Sequence, residues 1–254
     1  MKLLAFETAT EACSVALWID GEVRERHELA PRRHAELSLP WAEQLLADAG
    51  LRKSQLDAIA LGRGPGAFTG VRLAIAIGQG IALALDRPIV AVSTLATLAL
   101  RARTLPSSGA SCAGDASRDD GADAAAPTRV LACIDARMGE IYTGAFELRD
   151  GDAFALSTEA VLAPEAAALP GERDGWLGVG TGFSAADGAL ARHFEGRFAA
   201  IDAGALPHAA DLARLAVAAY ARGEAVAPER VEPAYLRNNV ALTIAQQQAL
   251  RASR

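Results

Sequence analysis

Short apolar runs separated by turn-forming residues open the chain and predict strands. Residues 3–8 form one such run, and a run of this length is typical of a buried strand. Residues 13–19 and 22–29 flank the pair Asp20-Gly21, which accepts the positive φ angles of a tight hairpin turn. The opening of the chain therefore predicts one strand followed by a β-hairpin.

Helical spacing then alternates with further strands. Residues 34–49 place Leu37, Trp41 and Leu45 four positions apart, so these side chains share one face of a helix. The other elements predicted in this half are strands at 56–61 and 89–92 and helices at 69–85 and 94–103.

The second half begins in the same way as the first. An apolar run at 129–135 is followed by runs at 141–148 and 153–157, which flank Asp150-Gly151. The later elements predicted are strands at 176–179 and 197–201 and helices at 185–193, at 209–222 and from about 240 to the end.

Residues 105–128 separate the two halves and are dense in Ser, Gly, Asp and Ala. Such a composition is typical of a flexible connection because it offers almost nothing to bury. The predicted divisions are an N-terminal lobe at 1–104, a flexible linker at 105–128, a C-terminal lobe at 129–237 and a terminal helix at 238–254 that packs back on the first lobe.

A duplicated unit of hairpin-linked strands and alternating helices predicts an α/β fold of two lobes, each with a mixed sheet and flanking helices. This arrangement resembles the duplicated actin-like ATPase (ASKHA) fold of sugar kinases and HSP70. In that architecture the acids that end the first strand of each lobe face one another across a cleft for a nucleotide. Glu7 and Asp135 are the candidates for this role. The alternative is that each acid caps a neighbouring turn.

Charge and cysteine content narrow the class of function. The 254 residues carry 25 Lys and Arg against 31 Asp and Glu, a net charge of -6, whereas a chain that binds nucleic acid unaided has a basic surface. Three cysteines without a CxxC pair fit neither a disulfide framework nor a zinc site. No signal segment or membrane-spanning run is predicted. We therefore expect a cytoplasmic protein that meets RNA only through a partner and does not enter a membrane.

A glycine-rich stretch, GRGPGAFTG at 62–70, precedes the second predicted helix. Its glycines allow a tight turn, and Thr69 can act as the N-cap of the helix. A helix N-terminus can hold a phosphate, but without the Lys of a P-loop the positive charge would have to come from Arg63 or Arg72. A structural turn and an anion site both stay open. The residues of such a vestigial nucleotide or anion site are Glu7, Gly64, Gly66, Thr69, Gly70 and Asp135.

Apolar side chains point in nearly every direction of the helix predicted at 69–85. A helix that is apolar all round has no solvent face. Small residues recur every four positions and form a shallow stripe that another helix can approach closely. The stripe is buried either within the chain or against a second subunit, and we favour the second subunit. The partner-binding candidates are His34, Leu37, Trp41, Leu45, Gly70, Arg72, Ala74, Gly78 and Ala82.

The sequence lacks the common patterns of metal sites and of catalytic nucleophiles. The four histidines form no HxxxH or HExxH pair, and no serine lies in a GxSxG elbow. No cysteine is flanked by a recognisable activating base. We therefore predict no catalytic residue and no metal site in this chain.

Five segments keep their order between residues 1 and 237: LLAFETATEACSVALWIDG, RRHAELSLP, GRGPGAFTGVRLAIAIGQGIALA, VLACIDARMGEIY and EPAYLR. Together they resemble the bacterial TsaB family, formerly called YeaZ. The glycine loop combined with IDARMGEIY is specific to that family, whereas the first strand fits many actin-like ATPases. The family commonly has Asp in place of Glu7 and Ser in place of Ala67, and both departures fit a retained fold with relaxed chemistry.

The resemblance implies a noncatalytic role in making threonylcarbamoyladenosine (t6A) in tRNA. In that family a paralogue, TsaD, carries a metal-binding histidine pair and performs the catalysis, and TsaB pairs with it through its first two helices, here about 34–49 and 69–85. The ATPase TsaE joins the pair, and TsaC supplies the threonylcarbamoyl-adenylate. The group is transferred to N6 of the adenosine beside the anticodon in tRNAs reading codons that start with A.

The resemblance also implies a heterodimer with TsaD, a homodimer when the chain is alone, and contact with tRNA through the complex only. It implies no cofactor bound by this chain alone, with ATP or ADP placed at the interface of the complex. Two alternatives stay open. The first is an actin-like phosphotransferase that uses Glu7, Asp135 and the glycine loop on a nucleotide, and the second, less favoured, is a metallopeptidase.

Overall fold

The computed structural model of the chain describes residues 1–106 and 128–237, and its strands form two sheets. The first sheet contains β1 (Lys2–Glu7), β2 (Ala12–Ile19), β3 (Glu22–Leu29), β4 (Ala58–Gly62) and β5 (Ile89–Val92). The second contains β6 (Thr128–Arg137), β7 (Glu140–Arg149), β8 (Asp152–Ala155), β9 (Ala160–Leu162), β10 (Trp176–Val179) and β11 (Phe198–Asp202). The α-helices of these residues are α1 (His34–Asp48), α2 (Phe68–Leu85), α3 (Thr94–Ala99), α4 (Ala189–His193) and α5 (Ala209–Ala221).

The two sheets share one strand order and one set of directions. In the first sheet β3, β2 and β1 are antiparallel neighbours, and β4 and β5 continue parallel to β1. In the second sheet β8, β7, β6, β10 and β11 repeat this arrangement, with β9 added beside β7. Asp20 and Asp150 adopt positive φ angles in the two predicted hairpin turns. The predicted duplicated α/β fold is confirmed.

Helices and sheets stack in layers, and burial on both faces explains why the central strands are continuous apolar runs. Along β1, Leu4 and Phe6 pack with α1 and α2 on the outer side of the first sheet. Leu3 and Ala5 point the other way and pack with α3 and α5, in a cluster that also contains residues of β6 and β10. Helices α3 and α5 therefore lie between the two sheets.

Helix α5 follows the strands of the second sheet in sequence but packs on the first sheet, where it contacts β1 and β2. Beyond its end, Val226 pairs with Ile89 of β5. The last part of the span predicted as the C-terminal lobe, 129–237, therefore returns to the first sheet.

Two predicted helices are shorter than expected. Residues 94–103 divide between α3 and a 3₁₀ helix at Leu100–Thr104, and residues 185–193 divide between a 3₁₀ helix at Ala185–Gly188 and α4. Most of the predicted linker and the predicted terminal helix lie outside the described residues.

Candidate functional site

The stripe of small residues on α2 faces the first sheet of its own lobe. A Cβ atom on Gly78 would come within 2.7 Å of Cδ2 of Leu61 in β4, and one on Gly70 would collide with the carbonyl oxygen of Thr8. The small side chains thus let α2 approach its own sheet closely. Our preference for a second subunit on this stripe is wrong, because its residues are buried within the chain: Gly70, Ala74, Gly78 and Ala82.

The opposite side of α2 points away from the sheet and is largely apolar. Phe68 is 57% exposed and Leu83 63% exposed. Ala76, Gly80 and Ala84, also spaced four apart, are exposed at its centre, and a Cβ atom on Gly80 would meet nothing within 4 Å. By length and composition α2 would suit a membrane span, but here its inner side packs on the sheet. We call the exposed side the outward face of α2.

Helix α1 lies beside α2 and adds further apolar surface. Leu39 is 46% exposed, and Leu37 and Trp41 are half-buried, whereas Leu45 is buried in the core below them. His34 has an internal role: its Nε2 lies 3.0 Å from the carbonyl oxygen of Thr10 and 3.2 Å from that of Ala12. Among the predicted partner-binding residues of α1, His34, Leu37 and Trp41 are thus partly exposed and Leu45 is not.

A cavity of about 930 Å³ opens between the two lobes. The turn after β1, the start of α2, the end of β6 and residues 234–237 form its walls. Its charged lining residues are Arg32, Arg72, Arg137 and Arg237 against Glu11 and Asp135. An excess of positive charge in a chain of net charge -6 favours an anionic group in this cavity.

The two strand-end acids do not face one another across this cavity. Glu7 is fully buried and does not line the cavity. Its Oε1 accepts the Ala9 N–H at 2.8 Å, just as Oδ1 of Asp135 accepts the Arg137 N–H at 2.7 Å. The predicted facing pair is wrong and the alternative, that each acid caps its own turn, is confirmed. Asp135 also lines the cavity and pairs with the Arg137 guanidinium at 2.7 Å.

Burial has a large effect on the Glu7 carboxyl. Loss of water raises its pKa to about 7, although hydrogen bonds from the Ala9 N–H and the Thr94 hydroxyl act in the opposite direction. Oε2 accepts the Thr94 hydroxyl at 3.2 Å. This oxygen occupies the space that a side chain on Gly62 would fill.

The glycine loop lies close to the backbone that follows β1. Side chains on Gly66 and Gly70 would collide with the backbone of Ala9 and Thr8. The Ala67 N–H donates to the Ala9 carbonyl at 2.7 Å. The N-cap of α2 is Ala67, with no side-chain cap, so the predicted capping role of Thr69 is wrong. The structural turn is therefore present, and an anion at the start of α2 stays a prediction.

Of the two arginines predicted to supply positive charge, one reaches the cavity. Arg63 does not line it and pairs with Glu159 at 3.4 Å. Arg72 does line it, stacks 3.7 Å over the Phe68 ring and donates through Nε to the Tyr235 hydroxyl at 2.7 Å.

Sequence reasoning missed three other cavity arginines. Arg237 bonds the Ala136 carbonyl at 3.2 Å and pairs with Glu140, which ties the end of the described chain to the second sheet. Arg137 and Arg237 belong to the IDARMGEIY and EPAYLR segments, so those segments held the signal. Arg32 likewise opens the RRHAELSLP segment.

A family model described as "TsaD: tRNA N6-adenosine threonylcarbamoyltransferase" matches residues 26–245. The tRNA threonylcarbamoyladenosine biosynthesis protein TsaB of Escherichia coli is 42% identical over 253 residues, which cover 95% of this chain and 96% of that protein. The chain belongs to the TsaB (YeaZ) family. The TsaB protein of Haemophilus influenzae is 36% identical, with 94% of this chain and 95% of that protein covered.

The fold agrees with this membership of the TsaB family. A solved structure of YeaZ from Pseudomonas aeruginosa matches with a TM-score of 0.79 at 45% identity, covering 92% of this chain and 99% of that one.

The histidines of this TsaB-family chain serve local contacts. The rings of His27 and His208 stack 3.9 Å apart, and Nδ1 of His208 lies 2.9 Å from Oε2 of Glu25. His193 contacts the Ala167 carbonyl at 3.1 Å. Within residues 1–106 and 128–237, no three His, Cys, Asp or Glu side chains converge as a metal site would require.

Proposed function

We propose that this chain is the accessory subunit of tRNA t6A synthesis and binds the threonylcarbamoyltransferase TsaD through the outward face of α2 and the adjoining part of α1. The observation that carries the proposal is the apolar outward face, on which Phe68 and Leu83 are more than half exposed. Contiguous apolar surface of this kind marks protein interfaces. Membership of the TsaB family supplies the pathway.

The shape of the outward face suits a partner helix. Ala76, Gly80 and Ala84 form a shallow centre, and the larger apolar side chains around it are Phe68, Leu73, Ile77, Ile81 and Leu83. Small residues at such a centre let two helices approach closely, and the larger ones pack around the contact. The same face would hold a second copy of this chain when TsaD is absent.

The catalytic step belongs to TsaD in this proposal. The carboxyl of Glu7 is buried and holds a turn, so it is not presented to a substrate. This chain would stabilise TsaD during transfer of the threonylcarbamoyl group, with TsaE joining the complex and TsaC supplying the activated group. The net charge of -6 fits a subunit that reaches tRNA through its partner, in the cytoplasm.

We also propose that the cavity between the lobes takes ATP or ADP when the complex forms. Four arginines line it beside the start of α2, whose N–H groups and dipole favour a phosphate. Phe68 and Arg72 line the cavity and also lie at the start of the outward face, so a subunit docked there would complete its wall. Calorimetry with ATP and ADP should give binding to the mixture with TsaD and none to this chain alone. Magnesium-dependent binding to the chain alone would favour the phosphotransferase instead.

Reconstitution tests the main proposal. TsaC, TsaD, TsaE, ATP, threonine, bicarbonate and unmodified tRNA are mixed with and without this chain, and t6A is measured by mass spectrometry of the digested tRNA. We expect t6A only when the chain is added. Formation of t6A at the same rate without it would contradict an accessory role.

A further inference from the structure

A chain of hydrogen bonds joins the buried carboxyl of Glu7 to the start of α2. Oε1 of Glu7 accepts the Ala9 N–H at 2.8 Å, and the Ala9 carbonyl accepts the N–H of Ala67, the N-cap of α2, at 2.7 Å. The Thr8 hydroxyl donates to the Gly70 carbonyl at 2.7 Å. The first turn of α2 is therefore fastened to the two residues that follow Glu7.

The other carboxyl oxygen reaches the opposite end of the same loop. Oε2 of Glu7 accepts the Thr94 hydroxyl at 3.2 Å, and the Thr94 N–H donates to the Gly64 carbonyl at 3.0 Å. The loop between Gly64 and Ala67 is thus held at both ends by groups that bond the same carboxyl. A side chain at position 62 would overlap this carboxyl. Gly62 therefore leaves the space that the carboxyl of Glu7 occupies.

The surroundings of the carboxyl are uncharged. Burial and hydrogen bonds alone shift its pKa. The side chains of Ser14 on β2 and Thr94 on α3 are neutral, and β4 presents Gly62. The charged groups Glu25 and His208 lie beyond Ser14, whose hydroxyl donates to Glu25 at 2.7 Å.

We propose that Glu7 is a positioning residue that holds the glycine loop and the first turn of α2, and with them the outward face that binds the partner. The partner part of this inference rests on the proposed function. Opening of the loop returns the carboxyl to water, where it ionises more readily. Loss of the proton therefore favours opening, and the start of α2 is held most firmly at acidic pH.

Amide hydrogen exchange of the chain alone tests the holding role. The exchange of peptides that cover residues 64–72 is measured at pH 6 and pH 8, and each rate is corrected for the intrinsic chemical exchange rate at that pH. Because the pKa is about 7 in the closed state and 4.5 in water, opening should be on the order of tenfold more frequent at pH 8. Glu7→Gln keeps the shape of the side chain: its oxygen can accept the Ala9 N–H, and its NH2 group can donate to the Thr94 hydroxyl oxygen in a reversed hydrogen bond. It should abolish this dependence, and Glu195→Gln, at an exposed acid, should retain it.

Binding to TsaD, measured by calorimetry, tests the consequence for the outward face. Glu7→Ala should weaken binding on the order of tenfold, as expected for loss of a buried hydrogen-bonded group, and Glu7→Gln should bind as the wild type does. The same pH dependence in wild type and Glu7→Gln, or wild-type affinity in a folded Glu7→Ala, would overturn the positioning role. Absence of binding by the wild type would contradict the proposed function, while the exchange result would still decide whether Glu7 holds the loop.

Discussion

The side chain of Leu61 lies directly beneath Gly78, and a Cβ atom on Gly78 would come within 2.7 Å of its Cδ2. The same strand places Ile59 Cγ2 3.6 Å from that position. Together with the contact of Gly70 on the Thr8 carbonyl, the contact of Gly78 requires small residues on the side of this almost wholly apolar helix that meets the sheet. It leaves the outward face, with Gly80 at its centre, exposed.

The two glycines of α2 should respond oppositely to substitution. Gly78→Leu forces a large side chain against Leu61 and should destabilise the fold by about 1–3 kcal/mol or more. Gly80→Ala meets open space and replaces a poor helix former, so it should stabilise the fold by up to about 1 kcal/mol. Urea unfolding of both variants checks this, and equal effects at the two positions would contradict the orientation of α2.

The buried Glu7 carboxyl should make the fold less stable as the pH rises. Its pKa is about 7 in the folded chain and 4.5 in the unfolded chain, so its contribution is fully present below pH 4.5 and is lost as the pH rises through 7. The loss amounts to about 3 kcal/mol at 1.36 kcal/mol per pKa unit.

Unfolding free energies of wild type and Glu7→Gln between pH 4.5 and 8 measure this effect. The wild type should lose stability across the window relative to Glu7→Gln, with Glu195→Gln as the control that behaves as wild type. Parallel curves for wild type and Glu7→Gln would show that the carboxyl does not titrate in this range.

Glu25 should have the opposite dependence, at lower pH. Burial alone would raise its pKa, but hydrogen bonds from His208, the Ala210 N–H and Ser14 outweigh it and lower the pKa to about 2. This value lies below that of the unfolded chain, so the stabilisation is present above pH 4.5 and is lost as the pH falls towards 2.

Replacement of Glu25 also removes the carboxylate that accepts the Ala210 N–H in the first turn of α5. Glu25→Ala should therefore lower stability at pH 7 by about 1–3 kcal/mol, the cost of leaving buried donors unpaired. It should also flatten the acid limb of the stability curve below pH 4.5. A variant with wild-type stability at pH 7 would contradict the role of Glu25 in fastening α5 to the first sheet.

Local sequence patterns were sufficient to predict most elements of the fold. Hairpins at Asp20-Gly21 and Asp150-Gly151 and the helical spacing of Leu37, Trp41 and Leu45 predicted the elements that the structure contains, because turns and amphipathic faces are encoded within a few residues. The return of α5 to the first sheet depends on contacts between distant segments, and the sequence pattern does not encode them.

The candidate site was harder to predict, for the same reason. Helix α2 carries small residues every four positions on two sides, and the buried side is the one on which Gly70 lies against the Thr8 carbonyl and Gly78 lies against Leu61. In the sequence, an acid at the end of a strand gives the same pattern whether its side chain faces a cleft or turns inward. The space that admits Glu7 is left by Gly62, on another strand.

Calorimetric titration of TsaD with three forms of this chain tests the partner-binding face most directly. The forms are the wild type, Ala76→Arg at the centre of the outward face, and Ala221→Arg at an exposed position of α5. Burial of an arginine without a partner is energetically costly, so Ala76→Arg should bind TsaD at least about tenfold more weakly than the wild type does. Ala221→Arg should bind as the wild type does. All three forms should have the same unfolding free energy. Equal affinity of Ala76→Arg and wild type would contradict the assignment of this face to TsaD.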